Sequence, residues 1–117
     1  MEARTRSRTG NATVMEVTGR LDAVTSPAFE KEIVAFFSSP AQGLALDLGQ
    51  MDYISSAGLR VLILGAKKAK ESSGGLALFG LRKQVMEVFV ISGLTSLLAI
   101  LPNEVEALAV IERQMGT

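Results

Sequence analysis

Short apolar runs alternate with stretches of helical periodicity along the chain, which predicts an α/β fold: a mixed, mainly parallel β-sheet with four α-helices packed on it. Two runs, Leu44–Leu48 and Leu76–Gly80, are almost wholly apolar and bounded by turn residues, as strands buried on both faces are. Each leads into a segment whose apolar residues recur every three or four positions. Near the N-terminus two β-prone segments flank Gly10-Asn11, and a hairpin there makes the sheet mixed rather than purely parallel.

In order along the chain, Arg4-Thr5-Arg6-Ser7-Arg8 alternates long basic with small hydroxyl residues and reads as an edge strand entering the hairpin turn, or else as a frayed basic tail. Ala12 to Thr18, rich in β-branched Thr13, Val14, Val17 and Thr18, reads as the next strand, and Gly19-Arg20-Leu21-Asp22 as the turn that ends it. Ser26-Pro27 opens the first helix, with serine as cap and proline at the first helical position, where its missing N–H removes no bond. Phe29, Ile33, Phe36 and Phe37 form the inward stripe of that helix, while Glu30, Lys31 and Glu32 stay in water. Ser38-Ser39-Pro40 ends it, and Gly43 leads into the central strand.

The second helix is read by projection at about 100° per residue. Leu59, Leu62, Ile63 and Ala66 gather on one side as core; Ala57, Val61, Leu64 and Lys68, flanked by Arg60 and Glu71, gather on the opposite side as a strip facing solvent. Lys67, Lys68 and Lys70 suit the dipole at its C-terminus, and Ser72-Ser73-Gly74-Gly75 stops it. Val85, Val88 and Phe89, with Met86 and Val90, make a third helix ended by Ser92-Gly93. Arg82 and Lys83 stand at its N-terminus against the dipole, which suggests a role in binding. Leu97 to Leu101 is the last strand, and Asn103 with Glu104 and Glu106 starts a final helix whose inward stripe is Val105, Leu108, Ile111 and Met115.

The 117 residues fit one domain, residues 1–117, with no internal repeat or linker. Cysteine and histidine are both absent. That removes disulfides, thiolate chemistry, Ser-His-Asp and Cys-His nucleophile systems and the commonest metal ligand, so no catalytic residue, cofactor or metal site is expected. An enzyme would need a Ser/Lys or carboxylate pair, and Asp22, Asp47 and Asp52 show no catalytic spacing. Twelve basic and twelve acidic residues balance, so no global field draws the chain to nucleic acid or an anionic membrane. Residues 1–11 are polar, with no secretory h-region, and no apolar run is long enough to cross a bilayer; the expectation is a cytoplasmic protein. Gly58 and Gly65-Ala66-Lys67 do not form a phosphate loop, because the glycines are too far apart and Lys68 replaces the hydroxyl residue.

The segment from Asp47 to Leu62, DLGQMDYISSAGLRVL, passes from strand through a polar turn with two serines into helix. A serine at a helix N-terminus can cap the helix or carry a phosphate. Tyr53-Ile54-Ser55-Ser56-Ala57-Gly58-Leu59, with Asp47-Leu48 upstream, resembles the signature of STAS domains, above all the bacterial anti-sigma factor antagonists. The resemblance spans roughly residues 12–112 and implies the STAS fold. In that family the serine two before the glycine is phosphorylated, which by position is Ser56. The best-known members have Asp where this chain has Ser55, which leaves Ser55 as a second acceptor.

The resemblance implies partner switching. The unphosphorylated protein binds a partner that is both anti-sigma factor and serine kinase, phosphorylation at Ser56 ends that interaction, and a serine phosphatase restores it. Asp22, Ser55, Ser56, Ala57, Gly58, Arg60, Val61 and Leu64 are the expected partner-binding residues, an apolar strip beside a switchable charge. The alternative is a STAS structural subunit of a lipid-transport or sensor complex, whose serines only cap a helix.

Overall fold

The computed structural model describes residues 1–116. In chain order the elements are β1 (Glu2–Thr9), β2 (Ala12–Leu21), α1 (Ser26–Phe36), β3 (Gly43–Asp47), β4 (Met51–Ile54), α2 (Ser56–Glu71), β5 (Gly75–Phe79), α3 (Lys83–Ser92), β6 (Ile100–Leu101) and α4 (Glu104–Gln114). The sheet runs β1-β2-β3-β5-β6, with β4 paired to β2; β1 and β2 form an antiparallel hairpin and the other pairings are parallel. The α/β fold with a mixed, mainly parallel sheet and four helices is therefore as expected, and the arginine-rich N-terminus is a strand, not a tail.

Side-chain alternation divides the sheet into two unequal faces. Val17, Leu44, Leu46, Leu76 and Leu78 join Phe29, Ile33, Leu62 and Phe89 in the larger core, which lies under α1, α2 and α3. Val14, Ala45, Ala77 and Phe79 form a smaller one with Ala107 and Ile111 of α4. Arg6, two residues on from Arg4 and at the bulge between Thr5 and Ser7, faces the α4 side. There its guanidinium binds Asp47 and reaches Glu104 at 2.6 Å and Glu16 at 3.4 Å, which ties the edge strand to β3 and α4.

Several elements depart from the sequence reading. Gly19-Arg20-Leu21 is no turn: Gly19, at φ +85°, kinks β2, which runs on and changes neighbour from β3 to β4. The sequence reading held no β4, because Met51-Asp52-Tyr53-Ile54 lacks alternation; its pairing with the end of β2 makes it a strand. Ser26 is not the cap of α1 but is buried within it, and the Asp22 carbonyl accepts its N–H at 2.9 Å. The last strand shrinks to Ile100–Leu101.

The outward and inward faces of two helices also differ from projection. Val61 is 3% exposed and belongs to the main core, and Leu64 is half-buried. The buried stripe of α2 centres on Gly58, Leu62, Gly65 and Ala69. A hydrophobic projection gives glycine no weight, yet the backbone packs most closely there: a Cβ at Gly65 would lie 3.2 Å from both Ile33 and Leu76 side chains. The stripe that faces water is Ser56, Arg60 and Lys67. In α4, Val105 is 77% exposed, and Ala107 takes the inward place assigned to it.

Candidate functional site

The C-terminal ends of β2 and β4 lie side by side, and the site grows from that pairing. Ser55 N–H donates to the Leu21 carbonyl at 2.9 Å, so the segment that begins at Asp22 and the serine pair occupy the same edge. Ser55 has an extended backbone and stands at the N-cap of α2, where its Oγ accepts the Gly58 N–H at 3.4 Å and its carbonyl accepts the Leu59 N–H at 2.9 Å. Ser56 is the first residue of the helix. It is exposed, and its hydroxyl has no hydrogen-bond partner among the described residues. The two serines therefore divide between them the alternatives, cap or free hydroxyl, that the sequence left open.

Gly58 is buried, with its ideal Cβ 2.9 Å from Ile54 Cγ1, Leu21 Cγ and the Leu21 carbonyl oxygen. A side chain there would push α2 away from β2, so this glycine sets the closeness of helix and strand. Ala57 is half-buried and Arg60 exposed. Val61, expected on the partner surface, lies in the core and offers no contact to a partner.

Asp22 organises the neighbouring turn. Its Oδ1 accepts the N–H groups of Val24 and Thr25, at 3.0 and 3.1 Å, and the Thr25 hydroxyl lies 3.2 Å away. Those bonds, the Thr25 N–H foremost, hold the carboxyl below its usual range against the opposing effect of desolvation, with Arg20 adding its charge. Arg20 lies 3.7 Å from Asp22 Oδ2 and stacks over the exposed ring of Tyr53, 4.1 Å from its centroid. Sequence reasoning missed this pair; the register that sets Arg20 opposite Tyr53 depends on β4.

Arg82 also finds its explanation here. It caps nothing by side chain, and instead its Nε donates to the Gly49 carbonyl at 2.9 Å while its guanidinium meets Asp52 at 2.6 Å and Gln50 at 3.3 Å. The cation at the start of α3 thus clasps the β3–β4 turn below the site. A cleft of about 350 Å³, lined by Lys70, Gly75, Leu76 and Gln114 among others, lies at the other end of α2 and takes in neither Ser56 nor Arg60. Among the described residues no group of three or more His, Cys, Asp or Glu is placed to hold a metal ion, and no helix is long and apolar enough to cross a membrane.

Comparison with known proteins gives the family of the chain. The family model described as "Mlab, STAS domain" matches residues 5–102. BtrV of Bordetella bronchiseptica, which bears the name of an anti-sigma factor antagonist, is 41% identical over 91 residues, 78% of each chain. The crystal structure of an anti-sigma factor antagonist from Mycobacterium paratuberculosis superposes with a TM-score of 0.80 at 25% identity, covering 95% of both chains. The anti-sigma factor antagonist SpoIIAA of Bacillus shares the fold in its unphosphorylated form, with a TM-score of 0.77 at 18% identity over 99% of this chain and 98% of its own. In its phosphorylated form the values are 0.69 and 17%, over 94% and 99%. The match over residues 5–102, the identity to BtrV and the shared fold make the assignment: the chain belongs to the STAS-domain family, among the anti-sigma factor antagonists.

Proposed function

We propose that residues 1–117 act as one cytoplasmic STAS module that antagonises an anti-sigma factor by partner switching, with Ser56 as the phosphorylated residue. The observation that carries this reading is the division of labour at the start of α2: the Ser55 hydroxyl is spent on the cap, and the Ser56 hydroxyl faces water. Ser55 in place of the family's Asp is compatible with the same role, since Ser and Asp are both good N-caps. Ser55 is thereby the poorer acceptor, because its half-buried hydroxyl is already held at the cap.

In the unphosphorylated state the edge formed by Asp22, Ser55, Ser56 and Ala57, with Arg60 beyond, docks an anti-sigma factor that is also a serine kinase. Catalysis and ATP belong to that partner. The Ser56 oxygen attacks the γ-phosphorus of ATP, the bond to the β-phosphate bridging oxygen breaks, ADP leaves, and the hydroxyl proton passes to a base of the kinase. The product brings about −1.5 to −2 charges into a close interface. Repulsion and desolvation there amount to several kcal/mol, and each 1.4 kcal/mol is about tenfold in affinity. Release follows, and a serine phosphatase resets the protein.

The test is affinity capture from the source cell with wild type, Ser56→Ala and Ser56→Asp as baits, with the phosphate mapped on the wild type. An ATP-binding serine kinase held by wild type and Ser56→Ala but lost by Ser56→Asp, with phosphate on Ser56, supports the switch. The same complex on all three baits with no phosphate overturns it in favour of a structural subunit.

A further inference from the structure

We propose that Arg60 is the intramolecular partner of phosphorylated Ser56, so that the modified site closes on itself. The inference rests on Ser56 being the modified residue, and it adds a role that the family signature does not carry. Ser56 and Arg60 are four residues apart in α2, both exposed, on the same line of its solvent face. That spacing brings the two side chains together one above the other, with the anion on the N-terminal side, which is the favourable order. Arg60 is not engaged elsewhere: among the described residues its guanidinium makes no hydrogen bond or ion pair, whereas Arg6, Arg20 and Arg82 are all taken up by carboxylates. Nor does an acid on the first turn of α2 compete, since that turn contains none.

The chemistry suits a phosphate monoester better than a carboxylate. A guanidinium offers paired N–H donors to two phosphate oxygens, and a dianion gains more from it than a carboxylate does. The consequence for the switch is twofold. Phosphorylation adds negative charge to the docking edge, and by drawing in Arg60 it removes the cation that this edge otherwise presents.

The test uses the full chain with phosphoserine installed at position 56 during synthesis, so no kinase is needed. Phosphorus NMR is followed against pH for wild type, Arg60→Gln and Arg60→Lys. Arg60 stabilises the dianion, so the second phosphate ionisation in wild type should lie lower than in Arg60→Gln, by about 0.3 pH unit. Arg60→Lys should recover part of the gap, and high salt should narrow it. Coincident titrations of wild type and Arg60→Gln would overturn the proposal. Circular dichroism of the unphosphorylated variants confirms that the exposed substitution leaves the fold intact. Because the phosphate is placed synthetically, the titration stands or falls on Arg60 alone; absence of phosphate at Ser56 in the cell would instead count against the functional reading.

Discussion

The N-termini of α2 and α4 are built from the same local chemistry and do different things. Each begins at a polar residue in extended conformation whose side chain accepts the N–H three residues on, Ser55 from Gly58 and Asn103 from Glu106. At α4 the arrangement is closed: the Asn103 amide also donates to the Glu106 carboxylate at 3.1 Å, and Glu104 is engaged by Arg6. At α2 the first turn has no acid, and the residue after the cap is a solvated serine. A phosphate on α4 would meet two carboxylates, whereas on α2 it meets a free arginine. What distinguishes the two helix starts is therefore the second layer of side chains, since the cap itself is common to both.

The contrast breaks most visibly at two valines. Val61→Lys puts an ammonium into the core beneath α2 and should cost at least about 3 kcal/mol, read as lost cooperative unfolding in urea. Val105→Lys on the water side of α4 should stay within about 0.5 kcal/mol of wild type. Equal effects would mean that the two helices are packed alike. Gly58→Ala comes next. Alanine favours helix by about 1 kcal/mol in an open position. Here its Cβ meets the Leu21 carbonyl, and the variant should be less stable by about 1–3 kcal/mol and perturb the edge. Unchanged stability would show that β2 and α2 can part without cost.

Smaller effects separate the caps. Asn103→Ala should cost about 1–2 kcal/mol and Ser55→Ala about 0.5–1 kcal/mol, since the Ser55 bond is longer and lacks a reciprocal partner, while Ser55→Asp should hold stability because aspartate caps as well. Thermal unfolding of the three variants ranks them. A still smaller effect comes from Asp22, whose carboxyl titrates below its unfolded value of 3.8. Its contribution is complete above that value and is lost as the pH falls through the folded one, so acid should loosen the turn and Asp22→Asn should remove that part of the pH dependence. A carboxyl carbon shift followed by NMR reports it; a midpoint at or above 3.8 contradicts the hydrogen-bonded turn. Ser56→Ala, which removes an exposed hydroxyl with no hydrogen-bond partner among the described residues, should leave stability unchanged within about 0.5 kcal/mol.

Much of this was legible before any coordinates. The leucine-rich runs at Leu44 and Leu76, the Gly10-Asn11 hairpin and the Asn103 cap are local signals, and local signals survive folding because propensity and burial agree there. The serine pair was located by the same means, along with its two possible roles. The resemblance pointed to Ser56 for the phosphate, but spacing alone could not assign which serine caps the helix, because that depends on the phase at which α2 begins. That phase is set by the Ser55 bond to Leu21 and by the fit of Gly58 against β2.

The sequence by itself determined the order and type of most elements, the lack of histidine and cysteine chemistry, and the position of the serine pair between strand and helix. Tertiary structure alone decided that Met51–Ile54 is a strand, that Val61 is core and Val105 is not, and that Arg82 clasps a turn thirty residues away in sequence. The physical reason is common to all of these. Periodicity ranks side chains by hydrophobicity, but α2 is oriented by the absence of side chains at Gly58 and Gly65, and close approach of backbones is a property of two elements together.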